Sequence, residues 1–510
     1  MDIFRDHLLT WIIFSPLLGL VPLFLFPSGR EKQLKGVVLA LSLIPLGFSL
    51  WLFASFQGTG AYEFQEMVPW MRGYQAAYQV GVDGFSLLLI CLTTFLLPLV
   101  LLATWNDVHR NVKGYLFFFL LLETGILGVF SALDLLLFYV FWEAALIPMY
   151  FLIGIWGGEE RIYASIKFVL YTMVGSLLML VAILYLYFAA GHSFYWGDMA
   201  ALHLPRMTQI VLFAAFGLAF AIKVPLFPFH TWLPDAHVQA PTGGSVILAG
   251  VLLKMGTYGF ARFAIPFFPE AVRALGPLLA VLSVIGIVYG ALVSMVQVDM
   301  KKLVAYSSVS HLGFVVLGLF SLNAQGVSGA TLQMINHGLS TGGLFFLVGM
   351  LYERRHTKLI ADFGGLATSM PLYSTCFFIM LFSSIALPGT NGFIGEFLIL
   401  LGSYQTHPIL TTVATSGVIF AAIYMLWMAQ RVFLGKVTPK NQNIADLSLR
   451  EGVVLLPIIV LIFWIGFAPG FLLDKINPTT EVFLKTKTEK ISIPPSPVTG
   501  EGRGEGGDTN

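Results

Sequence analysis

Long apolar runs constrain the fold of this chain more than any other feature of its sequence. About fourteen segments of roughly 18 to 25 mostly apolar residues follow one another, and each is long enough to cross a hydrocarbon core as a helix. Only 11% of the residues are charged, against roughly 25% in soluble domains. The sequence therefore predicts an all-α polytopic membrane protein. The predicted spans are 9–27, 34–54, 84–104, 115–132, 134–156, 164–190, 209–229, 243–266, 275–297, 302–322, 328–352, 370–404, 409–434 and 452–473.

Two of these spans hold a dense group of residues that break helices. The stretch FAIKVPLFPFHTWLPDA at 220–236 carries Pro225 and Pro228, and the overlong span 370–404 carries Pro388 in ALPGTNGFIGEF. A proline frees a backbone carbonyl, and non-helical backbone at membrane depth is tolerated where it lines a cavity or is covered by protein. Secondary transporters place such discontinuous helices at their sites. We therefore expect two broken helices beside a functional site, with simple packing kinks as the alternative.

The distribution of basic residues predicts the orientation of the chain. Sixteen of the 28 lysines and arginines fall in the odd-numbered connections between spans. Because basic residues accumulate in cytoplasmic loops, both termini are expected on the outer side. Five others lie in the C-terminal tail. Once basic residues near a span end are counted with the adjoining connection, only Lys223 and Lys254 are left inside the predicted spans. The N-terminus and the even-numbered connections hold Arg5, Arg72, Arg206, Arg262 and Arg273.

The two ends of the chain differ in character. Residues 1–474 are expected to form one transmembrane domain and residues 475–510 a polar, disordered tail, because the stretch from Pro494 reads PPSPVTGEGRGEGGDTN. The start, MDIFRDHLL, has no basic region or small-residue cleavage site before its apolar run. This favours an uncleaved first span over a signal peptide.

Two lysines and two glutamates are expected at similar depth inside the membrane: Glu143, Lys223, Lys254 and Glu396. A charge there costs at least ~2.5 kcal/mol, so each residue needs a partner, a water-filled cavity or a neutral state. One buried glutamate is explained by helix packing as readily as by function. Four ionisable residues, each with this cost in free energy, favour a function. Glu123 also lies inside a predicted span, without an assigned role.

A pair formed by Glu143 and Lys223 would make a switch. Burial favours the neutral form of each group, whereas a nearby opposite charge favours the charged form. Opening and closing such a pair would therefore change the proton affinity of a neighbouring site. The contact between the two side chains stays a hypothesis at this point.

Histidines exchange protons near neutral pH. His311 and His337 lie inside apolar spans, where a lone histidine is more often a packed residue than a relay. His230 and His237 flank TWLPDA and are expected to be cap or loop residues. Their spacing across a proline is a poor geometry for sharing a metal, so no metal site is predicted.

Several functions are excluded by composition. The net charge is +1 and no basic face is present, so nucleic-acid binding has no electrostatic basis. Cys91 and Cys376 lie in separate apolar runs, so neither a disulfide framework nor an iron–sulfur cluster is indicated. No strand-turn-helix GxGxxG pattern is present for a flavin or a nicotinamide. Any redox chemistry is therefore expected in other chains.

Four strings carry a family resemblance: LLLFYVFWEAALIPMYFLIGIWGG (135–158), KVPLFPFHTWLPDAHVQAPTGGSVILAGVLLKMGTYG (223–259), KKLVAYSSVSHLGFVVLG (301–318) and NHGLSTGGLFFLVGMLYER (336–354). They resemble the proton-translocating antiporter-like subunits of respiratory complex I, over nearly the whole chain except the tail. Glu396 stands where sister subunits typically carry lysine. Together with the end after about fourteen spans, without a long lateral helix, this is similar to the M type of subunit.

The resemblance implies a function for the chain as a whole. It would be a non-redox, proton-pumping subunit of a translocating NADH:quinone oxidoreductase, with two inverted five-helix repeats near 115–266 and 275–434. L-type and N-type subunits would be its neighbours in the membrane arm. NAD, flavin, iron–sulfur clusters and quinone would be bound by partner subunits, and the complex would lie in a bacterial inner membrane with the termini of this chain in the periplasm.

The resemblance also implies roles for individual residues. Glu143 and Lys223 match the glutamate and lysine of the fifth and seventh helices, Lys254 the central lysine of the eighth, and Glu396 the glutamate of the twelfth. His311 and His337 match histidines of the central polar axis, whereas Glu123 has no clear match. Three alternatives stay open: a subunit of a multisubunit sodium/proton antiporter, the membrane arm of an energy-converting hydrogenase, and a membrane scaffold without transport.

Overall fold

The computed structural model describes residues 6–27 and 29–492. Within them the chain makes fourteen helical passes, which confirms the predicted all-α membrane fold. The passes are α1 Leu8–Leu25, α2 Glu31–Ser55, α3 Gly84–Ala103, α4 Val112–Ser131, α5 Leu135–Trp156, α6 Arg161–Ala189, α7a Arg206–Lys223 with α7b Trp232–Gln239, α8 Thr242–Phe267, α9 Pro269–Met295, α10 Met300–Phe320, α11 Ala324–Arg355, α12a Pro371–Ser384 with α12b Asn391–Thr406, α13 Pro408–Phe433 and α14 Leu449–Phe467.

Both predicted helix breaks are present. The first separates Lys223 from Trp232 and contains Pro225 and Pro228, and the second separates α12a from α12b and contains Pro388. The broken helix is the fourth member of two successive sets of five, α4–α8 and α9–α13. The inverted repeats near 115–266 and 275–434 stay a prediction.

A β-hairpin that the sequence did not predict lies between α2 and α3. Strands β1 (Glu63–Met71) and β2 (Ala76–Val82) pair antiparallel, from Glu63 opposite Val82 to Met71 opposite Ala76. Asp134, which caps the start of α5 by accepting from the Leu137 amide, also accepts from the Ala77 amide of β2. The hairpin is thereby tied to the membrane helices.

A C-terminal helix corrects the predicted tail. α15 runs from Gly470 to Ser492, so the prediction of disorder from residue 475 is wrong for 475–492, and the rest of that prediction lies outside the described residues. The helix is held by polar contacts: the Gly84 amide donates to Thr479 Oγ1 at 2.9 Å, and Lys475 Nζ donates to the Phe56 carbonyl. Because these contacts are polar and distant in sequence, the apolar pattern does not indicate them.

The connections divide the molecule into two faces. The even-numbered connections, with the hairpin, the short helix Trp196–Ala201 and α15, form the terminus face, and the odd-numbered connections form the basic face. Between the faces, α8, α10 and α11 are almost entirely buried, whereas α2 and α6 turn many apolar side chains outward. The buried helices and the two breaks therefore define the centre of the molecule.

Candidate functional site

Lys254 lies at the centre of the buried helix α8. The residues before it, Leu248–Leu252, form a π-helical turn, a local widening that is common at functional sites. The Lys254 side chain is fully buried, its Nζ donates to the Ala249 carbonyl, and the same Nζ lies 2.7 Å from His337 Nδ1. The widened turn thus supplies one partner of the lysine, and α11 supplies the other.

From His337 the polar contacts continue across two more helices. The rings of His337 and His311 have centroids 5.8 Å apart, and His311 Nδ1 lies 3.0 Å from Glu396 Oε1. All four side chains, from Lys254 to Glu396, are at most 3% exposed. We call Lys254, His337, His311 and Glu396 the central polar line. It joins α8, α11, α10 and α12b, and it brings together four of the predicted site residues.

Other polar side chains contact this line, and they were not among the residues predicted from the sequence. Gln333 Nε2 donates to Glu396 Oε1 at 3.0 Å, and Ser384 Oγ lies 3.3 Å from His311 Nε2. Asn336 Nδ2 donates to the Asn391 carbonyl, at the first residue of α12b, at 2.8 Å. Gln333, Asn336 and His337 recur at helical spacing in QMINHG, and this one-face pattern was the available signal.

Lys223 is the last residue of α7a, directly before the first helix break. Its side chain is 1% exposed, and Nζ has no hydrogen-bond partner among residues 6–27 and 29–492. Nζ instead lies over the rings of Trp142, at 5.2 Å from the centroid, and Phe168, at 5.6 Å. Aromatic faces attract a cation weakly, so the rings hold the lysine without fixing it as an ion pair would.

Glu143 lies close to Lys223 but does not contact it. It is near enough to act on the lysine electrostatically, but none of the ion pairs in the described part of the chain joins the two. Glu143 is half-buried, and its Oε1 finds no hydrogen-bond partner there either. The hypothetical pair is therefore separated in this structure.

Close packing brings α7a against α8. A Cβ added to Gly256 would lie 2.8 Å from both the Phe220 carbonyl oxygen and a methyl group of Val224. Only a glycine therefore fits this approach, two residues after Lys254. Lys223 and Lys254 lie on neighbouring helices, but no hydrogen bond within the described ranges connects them.

Glu123 lies apart from the central polar line. It is 2% exposed, and neither carboxylate oxygen has a hydrogen-bond partner among the residues that the structure describes. The small hollow beside its side chain is lined by one threonine and by apolar residues: Thr93, Leu97, Phe119, Leu122, Ile126 and Ile247. The structure therefore gives Glu123 no place in the chain of contacts between Lys254 and Glu396.

The structure separates the two histidines that were predicted to be caps or loop residues. His230 does lie in the loop between α7a and α7b, where its ring packs 5.0 Å from that of Tyr289. His237 instead lies inside α7b, is fully buried and stacks on Phe345 at 4.6 Å, so the prediction was wrong for this residue. Neither ring nitrogen of His237 has a partner among the described residues.

A cavity of about 290 Å³ opens on the basic face beside His237. Its lining includes Asp107, Lys301, Glu353 and Lys358, together with Gln239 at the end of α7b. Burial raises the pKa of the Asp107 carboxyl and lowers the pKa of the Lys358 amine, so both pKa values move towards neutral pH. Polar groups at this mouth are therefore able to exchange protons with the aqueous phase.

Arg262 corrects the count of basic residues inside the membrane. It was assigned to a connection, but it lies within α8, is 4% exposed and pairs with Asp83 at 2.7 Å. The prediction that only Lys223 and Lys254 remain inside the spans is therefore wrong. The predicted span 243–266 already contained Arg262, and the assignment failed because the residue was counted with the connection that follows the span.

The arrangement has the chemistry of proton transfer. A lysine, two imidazoles and a carboxylate lie in succession, and each accepts or releases one proton. Buried polar atoms without partners, such as His337 Nε2 and Thr341 Oγ1, are normally satisfied by water. Within residues 6–27 and 29–492, no cluster of three histidine, cysteine or acidic side chains has the geometry to hold a metal ion.

Comparisons with known proteins agree with the resemblance found in the sequence. The family model described as NADH:quinone oxidoreductase/Mrp antiporter, TM, matches residues 132–423. NADH-quinone oxidoreductase subunit M of Rhodobacter capsulatus is 45% identical over 492 residues, covering 93% of this chain and 96% of the relative.

Solved structures share the fold. A chain of respiratory complex I from Thermus thermophilus with bound NADH superposes with a TM-score of 0.86 at 35% identity, covering 93% of this chain and 99% of that chain. A chain of the Mrp complex from Dietzia sp. DQ12-45-1b has a TM-score of 0.83 at 19% identity, covering 96% and 99%, and shares the fold alone. The chain therefore belongs to the NADH:quinone oxidoreductase/Mrp antiporter family, in which its relatives include subunit M of NADH-quinone oxidoreductase.

Proposed function

We propose that this chain moves protons across the membrane as an M-type subunit of an NADH:quinone oxidoreductase. The observation that carries the proposal is the central polar line, in which Lys254, His337, His311 and Glu396 follow one another through four buried helices. An intramembrane ionisable group is expensive and normally functional. Four intramembrane ionisable groups in direct succession are difficult to explain by packing.

The Glu143 and Lys223 side chains control the first step. While Glu143 is close, its negative charge stabilises the protonated lysine, and when the charge is drawn away, burial favours release of the proton. In this structure the two groups lie close to each other without forming an ion pair, and the lysine lies over the rings of Trp142 and Phe168. The released proton passes through water to Lys254.

The second step runs along the central polar line. Lys254 passes a proton to His337, and His311 delivers it to Glu396, whose Oε1 also accepts from Gln333. Glu396 lies on α12b, which leads from the second helix break to the terminus face. The proton therefore leaves on the side of both termini, which is the outer side in the predicted orientation.

The redox reaction takes place in other subunits. NAD, flavin, iron–sulfur clusters and quinone are assigned to partner chains, and L-type and N-type subunits to the positions beside this chain in the membrane arm. The half-buried Glu143 is suited to respond to charge in such a neighbour. The complex is assigned to a bacterial inner membrane.

Substitution of Lys254 tests the proposal. In the assembled complex in membrane vesicles, Lys254→Met is expected to lower the number of protons taken up per NADH oxidised, because methionine fills the site without holding a proton. Lys436→Met is the matched control, since Lys436 is exposed in a loop of the basic face. Normal pumping by the Lys254 variant would overturn the proposal, whereas loss of assembly would favour a scaffold role.

A sodium/proton antiporter subunit is the second candidate, favoured by the fold that this chain shares with the Mrp complex. The two candidates differ in genetic context and in ion dependence. Neighbouring genes for other oxidoreductase subunits, and pumping that persists without sodium, support the first candidate. An antiporter operon and a strict sodium requirement would establish the second.

A further inference from the structure

Arg262 occupies the same helix as Lys254, about two turns closer to the terminus face. Its guanidinium is locked by three buried or half-buried groups. Nη2 donates to Asp83 Oδ1 at 2.7 Å, Nη1 donates to the Tyr62 hydroxyl at 2.6 Å, and Nε donates to the Tyr258 hydroxyl at 2.9 Å. The cation is therefore fixed in one position.

A cavity of about 470 Å³ reaches this cluster from the terminus face. Its lining includes Tyr62, Gln65, Asp83 and Arg262, and it is bounded by Thr479 of the C-terminal helix. The rest of the lining is mostly apolar, and the ion pair of Arg262 with Asp83 supplies its charged groups. The aqueous phase on the outer side is therefore separated from Lys254 by roughly the 12 Å that eight helical residues span.

The order of the groups along this short route matters. Tyr258 lies one turn from Lys254, Arg262 follows one turn later, and Asp83 caps the start of α3 on the terminus face. Arg262 thus lies on α8 between Lys254 and the helix end on the terminus face, and both charges of the ion pair line the cavity. A fixed cation raises the energy of a proton that approaches it, and arginines exclude protons from other membrane pores in this way.

A pump needs such a barrier. If Lys254 were able to exchange protons directly with the cavity on the terminus face, protons would return along α8 and bypass His337, His311 and Glu396. We propose that Arg262 is a fixed-charge barrier that closes this direct route and so forces protons from Lys254 sideways along the central polar line. This inference rests on the proposed function, because it assumes that Lys254 carries transported protons.

The test measures passive proton leak in vesicles that contain the assembled complex, with an imposed pH gradient and no NADH. The double variant Asp83→Asn/Arg262→Gln removes both charges and keeps amide groups at both positions. The gradient is expected to decay about tenfold faster, the change for a barrier lowered by about 1.4 kcal/mol. Arg273→Gln is the matched control, because Arg273 forms an exposed pair with Glu270.

Two further variants are needed. One tests whether the leak passes through Lys254, and the other replaces the double variant if that variant does not fold. Adding Lys254→Met to the double variant is expected to restore a slow decay, since the leak passes through Lys254. Asp83→Asn alone keeps the cation. Unpairing the buried charge lowers stability, but the asparagine Oδ1 is able to accept from Arg262 and to cap α3 as aspartate does. The assembled variant is expected to stay as tight as the unmodified complex.

Three results would overturn the inference: an assembled double variant without faster decay, a leak that persists without Lys254, or a leak in Asp83→Asn alone. If the double variant does not assemble, the inference is tested by the leak of Asp83→Asn alone. The proposed function is judged separately, from NADH-driven pumping with Arg262 unchanged.

Discussion

Glu396 and Glu123 are buried to the same extent, at 3% and 2% exposed, but their surroundings differ. Glu396 accepts from Gln333 and lies 3.0 Å from His311, whereas neither carboxylate oxygen of Glu123 has a hydrogen-bond partner among the described residues. The sequence identified both residues by the same signal, a charge inside an apolar span. It could not separate them, because the distinction depends on side chains from other helices.

The same reason explains the errors at His237 and Arg262. His237 follows Pro234 closely, and Arg262 is near the end of a predicted span. Both residues were therefore predicted to lie in connections. Their burial comes from packing against Phe345 and from the ion pair with Asp83, respectively. Both partners are about 100 or more residues away along the chain, and local patterns carry no information about them.

Removal of His337 is predicted to interrupt the central polar line. His337→Asn keeps a polar side chain but cannot bind and release a proton, so NADH-driven pumping is expected to fall by at least about a hundredfold, the lower range for loss of a positioned acid or base. His192→Asn is the control, since His192 is exposed and its left-handed backbone suits asparagine. Equal pumping by the two variants, measured by pH change in vesicles, would contradict the role of His337.

At the scale of elements, the two broken helices were predictable and the two terminus-face elements were not. The prolines in 220–236, and proline with glycines in 386–397, are local signals for a break, and both breaks are present. The hairpin β1–β2 is short, and α15 is too polar to read as a membrane span. Their positions are set by contacts such as Thr479 with Gly84, which tie distant parts of the chain together.

The approach of α7a to α8 is predicted to depend on Gly256. In Gly256→Ala, the added methyl group would lie 2.8 Å from the Phe220 carbonyl oxygen, so the helices must separate. We expect a loss of about 1 to 3 kcal/mol in stability and weaker proton transfer between Lys223 and Lys254.

Gly217→Ala is the control for this prediction. Gly217 lies in α7a, the helix that packs against Gly256 of α8. A Cβ at Gly217 would meet only ordinary contacts, with Phe213 at 3.7 Å. Thermal unfolding of the assembled complex measures the difference. If both glycine variants unfold at the same temperature, the close approach of α7a and α8 does not limit stability.

At the scale of the whole molecule, the number and order of the membrane passes followed from hydropathy and from the requirement that a lipid-exposed backbone be fully hydrogen-bonded. The sidedness rests on the basic residues alone. The structure adds a consistent division, because the hairpin, α15 and the cavity at Arg262 share one face, while the cavity at Asp107 opens on the other. In the proposed mechanism the proton leaves through Glu396 towards the terminus face, and the cavity at Arg262 is the route that stays closed.

Cysteine labelling is predicted to reveal this sidedness. Gly73→Cys on the hairpin is exposed on the terminus face, and Lys440→Cys is exposed on the basic face. A membrane-impermeant thiol reagent added to intact cells is expected to label the cysteine at 73 and not the one at 440. The reverse pattern would invert the proposed direction of transport.

The number of protons moved per NADH oxidised tests the central claim most directly. In proteoliposomes with the purified complex, Glu396→Gln is expected to lower that number relative to the unmodified complex, because the amide cannot take the proton from His311. Glu123→Gln, with an equally buried acid outside the central polar line, is expected to leave it unchanged. An unaltered number of protons in Glu396→Gln would contradict the account.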